Sequence, residues 1–149
     1  MTQAVAFYLP PGLPVPTFER DELSKPYWEG LKSGKLMIQR CAGCGAWQWG
    51  PEWICHSCHC FDLTWEEIKA EGRIYSWERV WHPVHPALKT AVPYLVVLVE
   101  LAQTSSVRLI GNLLGDPLQE VRIGSHVVGE FEHHTTADPP FSLLHWRVR

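Results

Sequence analysis

Two Cys-x-x-Cys pairs constrain this chain more than any other feature. Cys41-Ala-Gly-Cys44 and Cys55-His-Ser-Cys58 are separated by ten residues. Pairs at this separation form the usual ligand set of a zinc ribbon, in which two tight turns face each other across one metal. Four thiolates complete a tetrahedral structural site and leave no open position for a substrate. Gly43 and Gly45 fall in the first turn, where glycine tolerates positive φ and lets backbone N–H groups approach the sulfurs.

Two disulfides are the competing reading of four such cysteines, and the absence of a secretory signal speaks against it. Met1–Leu9 carries no basic segment of the signal-peptide kind. Four thiolates also suit an iron centre of rubredoxin type, so iron is the alternative metal. Cys60 is a fifth cysteine, two residues past the last ligand, and His56 and His59 lie in the second turn. The four-sulfur set is complete without them, and all three are read as cover for the site.

One hundred and forty-nine residues make one ordinary domain or two very small ones. The formal net charge of −3 argues against a general nucleic-acid binder, which would carry a basic stripe. No apolar run is long enough to span a bilayer, so a cytoplasmic location is the default expectation. Eight tryptophans are more than two miniature cores comfortably bury, and some are expected on exposed partner surfaces.

Taken in order, residues 1–20 read as an extended arm with prolines at 10, 11, 14 and 16. Phe7, Tyr8 and Leu9 favour an arm that lies along a partner over a floppy tail. Residues 21–70 read as a short helix plus the ribbon. Ser24 is placed to cap that helix, Pro26 sits in its first turn, and Gly34 suits the position after its end. Tyr27, Trp28 and Leu31 share its apolar face. Residues 71–149 read as five strands with a short helical element between the third and fourth, the order of an OB-fold barrel. A capping box at Asp116 and Gln119 marks that helical element. Strict alternation in the first of these strands puts Arg73, Tyr75, Trp77, Arg79 and Trp81 on one face.

No catalytic constellation is evident. There is no nucleophile elbow, phosphate loop or metalloprotease helix motif. His82 and His85 lie in a proline-stiffened loop that lacks a matching carboxylate or cysteine. His133 and His134 face opposite sides of one strand and cannot serve one site. The Arg73-to-Trp81 face could stack nucleobases, or contact a protein or a coenzyme.

Several runs carry a family resemblance. They are Pro26 to Cys41, the two cysteine turns, Gly72-Arg-Ile-Tyr-Ser-Trp77, Val92 to Glu100, Arg108-Leu-Ile-Gly-Asn112 and Val121-Arg-Ile-Gly124. In this order they resemble the family called domain of unknown function 35, over nearly the whole chain from about residue 18. The resemblance implies a mostly β protein: an N-terminal helix, a rubredoxin-like zinc ribbon and a C-terminal five-stranded OB-fold. It implies structural Zn2+ at Cys41, Cys44, Cys55 and Cys58. It also implies work beside a thiolase-like subunit in acyl-CoA metabolism, with a CoA thioester as ligand of the complex. Some family members bridge the two enzymes of an archaeal thiolase–synthase complex. Others pair with an aldolase of steroid side-chain degradation or are fused to a hot-dog hydratase. Without a hydratase segment, this chain resembles the free-standing form.

The resemblance therefore implies a non-catalytic accessory subunit of a thiolase-like acyl-CoA enzyme, in the first place a (retro-)aldolase acting on a steroid side-chain acyl-CoA. It implies binding to neither nucleic acid nor membrane, and gives no catalytic residue to carry over. The alternatives are a bridging subunit of a thiolase–synthase complex and a single-strand-binding OB-fold protein, with a stand-alone enzyme using His82 and His85 as a further one. Contacts to a coenzyme or partner are expected from His82, His85, Lys89, Arg73, Trp77 and Trp81.

Overall fold

The structure, a computed structural model, describes residues 7–17, 22–104 and 106–149. The first six residues, residues 18–21 and Ser105, on which parts of the expected arm, helix start and turn fall, lie outside the described residues. Helix α1 spans Lys25–Lys32, and strands β1 (Leu36–Cys41), β2 (Trp47–Gln48) and β3 (Leu63–Ile68) follow. Next come β4 (Glu71–Val80), a 3-10 turn at Pro86–Leu88, β5 (Tyr94–Leu101), β6 (Arg108–Asn112), β7 (His126–His134) and β8 (Phe141–Val148). None of the described helices is long and apolar enough to cross a membrane.

The helix forms where expected, but its start differs from the expectation. Ser24 has helical backbone angles (φ −86°, ψ 0°) and its side chain makes no cap bond. Hydroxyl capping requires an extended N-cap backbone, which swings the oxygen over the first-turn amides. Here the Ser24 carbonyl does the work, accepting from Tyr27 and Trp28 at 3.1 and 3.3 Å. Gly34 takes the left-handed conformation (φ +69°) and, with Lys35, returns N–H bonds to Leu31 and Gly30.

The two sheets are antiparallel, β2-β1-β3 in the ribbon and β6-β5-β4-β7-β8 in the barrel. Strand β4 is long enough to pair with both β5 and β7, as the first strand of an OB-fold does. A single parallel bridge, Leu113 to Trp146, brings the ends of the sheet together, so closure is partial. The helical element expected between the third and fourth barrel strands is only a turn. Asp116 Oδ1 accepts from the Leu118 amide at 2.8 Å. The Gln119 side chain donates to the Leu114 carbonyl instead of reaching back to Asp116, so no capping box forms.

A β-bulge overturns the expected aromatic and basic face. Pairing slips between Ile74 and Ser76, leaving Tyr75 as the extra residue. Before the bulge Arg73 opposes Glu100, on the outer side. After it Trp77 opposes Val97 and Arg79 opposes Leu95, both fully buried. Trp77 thus packs against the core, and Arg79 donates to the carbonyls of Pro117 and Gln119. One inserted residue reverses every side chain beyond it, because the strand period is two.

The core is one cluster, where two miniature ones were expected. Leu31 of the helix, Leu36, Ile38 and Ile68 of the ribbon, and Leu95, Val97, Leu109 and Trp146 of the barrel belong to it. Trp28, Trp47, Trp49 and Trp77 pack against it. Sharing a core removes the reason to expose most of the tryptophans; Trp53 and Trp81 remain 60% and 63% exposed.

The described part of the arm also departs from expectation. It lies on the chain's own barrel. Phe7 stacks on His134 (centroids 4.0 Å apart), and His134 stacks on Phe141 (4.3 Å).

Candidate metal centre

Cys41 ends β1 and Cys44 lies in the turn that leads to β2, while Cys55 and Cys58 sit in the loop before β3. The two turns repeat one backbone plan. Gly45 N–H donates to the Cys41 carbonyl (2.9 Å), and His59 N–H donates to the Cys55 carbonyl (3.0 Å). One residue further on, Cys41 N–H bonds the Ala46 carbonyl and Cys55 N–H bonds the Cys60 carbonyl, both at 2.9 Å. The plan needs a left-handed residue four places after its first cysteine. Gly45 (φ +76°) supplies it in the first turn and His59 (φ +61°) in the second. His59 therefore serves the backbone. His59→Gly should be neutral or stabilise slightly, whereas His59→Val should cost about 1–2 kcal/mol in denaturant unfolding.

The four sulfurs lie within 4.8 Å of one another. Cys41 to Cys58 and Cys44 to Cys55 are both 3.6 Å. A tetrahedral zinc with Zn–S of about 2.3 Å implies S···S of about 3.8 Å, so these residues fit the ion. Amides aim at the sulfurs: Cys44 N–H to Cys41 Sγ at 3.4 Å, and Ser57 and Cys58 N–H to Cys55 Sγ at 3.4 and 3.5 Å. The Cys44 amide, then the Cys60 thiol, draws the Cys41 thiol down to about 6. The Cys58 amide lowers Cys55 likewise. These amide bonds favour the thiolate at Cys41 and Cys55. Cys58 moves the other way, because the lowering effect of the Cys60 amide is outweighed by thiol hydrogen bonds to Cys60 and Cys44. Cys60 stands outside the set of four, its sulfur 3.2 Å from that of Cys41. A side chain at Gly43 would come within 3.1 Å of it.

A polar network beneath the second turn was not foreseen from the sequence. Gln39 and Gln48 are directly paired across β1 and β2 and are 2% and 3% exposed. The Gln48 amide donates to Gln39 Oε1 (3.0 Å) and to the Ile54 carbonyl (3.2 Å). Its oxygen takes the His56 amide (2.8 Å) and meets His56 Nδ1 (2.9 Å). Gln39 in turn exchanges two bonds with the Glu52 backbone (2.9 and 3.1 Å). These side chains stand in for the backbone partners the ligand loop lacks. The available signal was a glutamine two places before Cys41, hence on the same strand face. Gln48→Leu keeps the bulk but orphans the buried loop groups. It should cost about 1–3 kcal/mol in denaturant unfolding and weaken metal retention against a chelator.

The remaining candidate residues do not converge. His82, Lys89 and Trp81 are exposed on the loop after β4, and Arg73 is exposed on β4. His85 is half-buried, and its Nδ1 accepts from the Ala87 amide (3.1 Å), which caps the 3-10 turn. His133 is exposed and meets Ser142 Oγ (2.7 Å), while His134, on the other face of β7, is covered by the Phe7 and Phe141 rings and meets Glu132 (2.6 Å). An aromatic groove on the ribbon, lined by Pro26, Trp53, Phe61 and Trp65, encloses about 310 Å3. Phe61 is 78% exposed there.

Fold and site together define a class: a four-cysteine zinc ribbon, preceded by a helix and followed by an OB-fold barrel, on one shared core. Within that class the chain belongs to the ChsH2, or DUF35, family. Residues 28–64 match the ChsH2 rubredoxin-like zinc ribbon domain, and residues 65–132 match the ChsH2 C-terminal OB-fold domain. A solved chain described as Ltp2-ChsH2(DUF35) aldolase is 34% identical, with a TM-score of 0.76 over 90% of this chain and 98% of that one. A DUF35 protein of unknown function from Sulfolobus solfataricus, 20% identical with a TM-score of 0.58 over 85% of each chain, shares the fold. A probable enoyl-CoA hydratase alpha subunit from Thermomonospora curvata is 37% identical over 131 residues. The match takes in 87% of this chain and spans 38% of that relative's length.

Proposed function

We propose that this chain is a non-catalytic accessory subunit of an acyl-CoA enzyme. Its partner would be a thiolase-like subunit, and the complex a cytoplasmic (retro-)aldolase acting on a steroid side-chain acyl-CoA. The observation that carries this reading is the likeness to the Ltp2-ChsH2(DUF35) aldolase chain along almost that chain's full length. In this reading residues 21–70 form the helix and ribbon and residues 71–149 the barrel. Cys41, Cys44, Cys55 and Cys58 hold one structural zinc in preference to iron. Bound there, zinc supplies cross-linking and no open coordination position.

What this chain's residues do follows from their placement. The glutamine network and the paired turns hold the ligand loop. The shared core carries that rigidity into the barrel. Trp53 and Phe61 on the ribbon, and Arg73, Trp81, His82 and Lys89 near β4, are exposed where a partner or its coenzyme could meet them. Trp77 would act only as support from within, and His85 as the cap that shapes the loop.

Co-expression tests the proposal. The partner alone should be insoluble or inactive, and adding this chain should restore acyl-CoA cleavage. His82→Ala with His85→Ala should leave measurable activity in the complex. Turnover of an acyl-CoA by the isolated chain, abolished by that double substitution, would refute an accessory role. Single-stranded oligonucleotides should bind only weakly at physiological salt, because acidic side chains outnumber basic ones, 16 to 13. Sub-micromolar binding would favour the nucleic-acid reading.

A further inference from the structure

The outer face of β7 and β8 carries Glu130, Glu132 and His134 opposite His145, Leu143 and Phe141. Residues 7–17 of the arm cover this face without adding a strand to the sheet. Their hold is specific at two consecutive residues. The Phe7 ring completes the stack on His134 and Phe141. Tyr8 donates its backbone N–H to Glu132 Oε2 (2.8 Å) and its hydroxyl to the Leu113 carbonyl (3.2 Å).

The rest of the seat is loose. A cavity of about 260 Å3 remains between the arm (Leu9, Leu13, Val15) and the barrel (Phe141, Leu143). A second, of about 740 Å3, opens beside Tyr8 toward Glu130, His145 and Arg147. Glu132 lines both. His145 sits against the Tyr8 ring (centroids 5.4 Å apart), 3% exposed, and neither ring nitrogen has a hydrogen-bond partner. Its Nε2 is 3.2 Å from Glu132 Oε2 without hydrogen-bonding geometry. Nε2 thus faces the Glu132 carboxylate, and Nδ1 is the buried polar atom that the docked arm leaves without a partner.

We propose that the β7–β8 face is an interaction surface for an extended, proline-rich segment with two adjacent aromatic residues, supplied by a partner protein. The chain's own residues 7–17 are its displaceable resident. Proline-rich segments are already extended, so docking orders little more of them, and aromatic platforms recognise them. Here the His134–Phe141 stack takes the first ring, Glu132 fixes the next backbone amide, and the Leu113 carbonyl selects a tyrosine. A partner segment that also fills the two cavities, or reaches His145, would outcompete the arm. This inference does not depend on the metal or on the acyl-CoA reading.

The test titrates a labelled synthetic peptide of residues 7–17 into the full-length chain. Phe7→Ala with Tyr8→Ala removes the resident's grip and should raise peptide affinity at least tenfold over wild type. Adding Glu132→Ala should take at least tenfold away again. A peptide with alanine for both aromatics should not bind. Absence of saturable binding to the double variant, or equal affinity for wild type, would overturn the proposal. Arm-exchanged dimers in light scattering would overturn the partner assignment in favour of a second copy. A second measurement needs no variant: amide exchange of Tyr8 in the wild-type chain should be at least a hundredfold faster than that of Val127 in β7. Equal protection of the two would show a permanently fixed arm.

Discussion

Cys44→Ser should abolish the ribbon. Metal content should fall from one zinc per chain toward zero, with loss of the near-ultraviolet circular dichroism of Trp47 and Trp49. In a module this small the metal takes the place of most of a core, and structural zinc is worth on the order of 10–16 kcal/mol at neutral pH. The effect should not stop at the ribbon, because Leu36, Ile38 and Ile68 lie in the same cluster as the barrel residues. A strong chelator added to the wild-type chain should reproduce the result, and Cys60→Ser should retain the metal. A Cys44→Ser protein that keeps one zinc and an unchanged spectrum would refute the ligand assignment. A red, iron-containing wild-type sample would refute zinc.

Gly72→Ala should destabilise the barrel by about 3 kcal/mol or more, a fall in Tm of roughly 6–12 °C or more for a chain of this size. Gly72 lies where β4 is paired on both sides, opposite Leu101 of β5 and Val127 of β7. A Cβ there would stand 2.2 Å from the Glu100 carbonyl oxygen and 2.7 Å from Val99 Cγ1. The obstruction is backbone on a paired strand, so rotamer changes cannot relieve it. Thermal unfolding followed by circular dichroism measures the loss. A melting temperature within a degree or two of wild type would mean that β4 and β5 separate more readily than their pairing implies. Because the core is shared, the variant should also hold zinc less firmly against a chelator.

The metal site was legible because its chemistry is written in short spacings. Two residues between cysteines set each turn, and the same turn needs a left-handed position that Gly45 advertises. His59, filling the equivalent position, read as cover for the site, since histidine gives no local sign of positive φ. The strand order of the barrel was readable for a similar reason. Tyr94–Leu101 is an apolar run broken only by Glu100 and bounded by turn residues, which marks a strand, while the structure decides that Leu95, Val97, Val99 and Leu101 are its buried face. The Trp77 face was misread because a single bulge at Tyr75 leaves no compositional trace, yet it inverts all that follows it.

By itself, the sequence determined the local and periodic features: four cysteines placed for one metal, a short aromatic helix, and barrel strands in OB-fold order. These depend on neighbours a few residues apart, whose relative geometry the backbone dictates. Only the tertiary structure decided what depends on distant partners. It merged helix, ribbon and barrel into one core. It turned Gln39 and Gln48 into the scaffold of the ligand loop. It also laid the arm on its own barrel, through a bond between Tyr8 and Glu132 that spans 124 positions. Contacts at such separation are set by packing and loop closure across the whole fold, and no local pattern around Tyr8 or Glu132 encodes them.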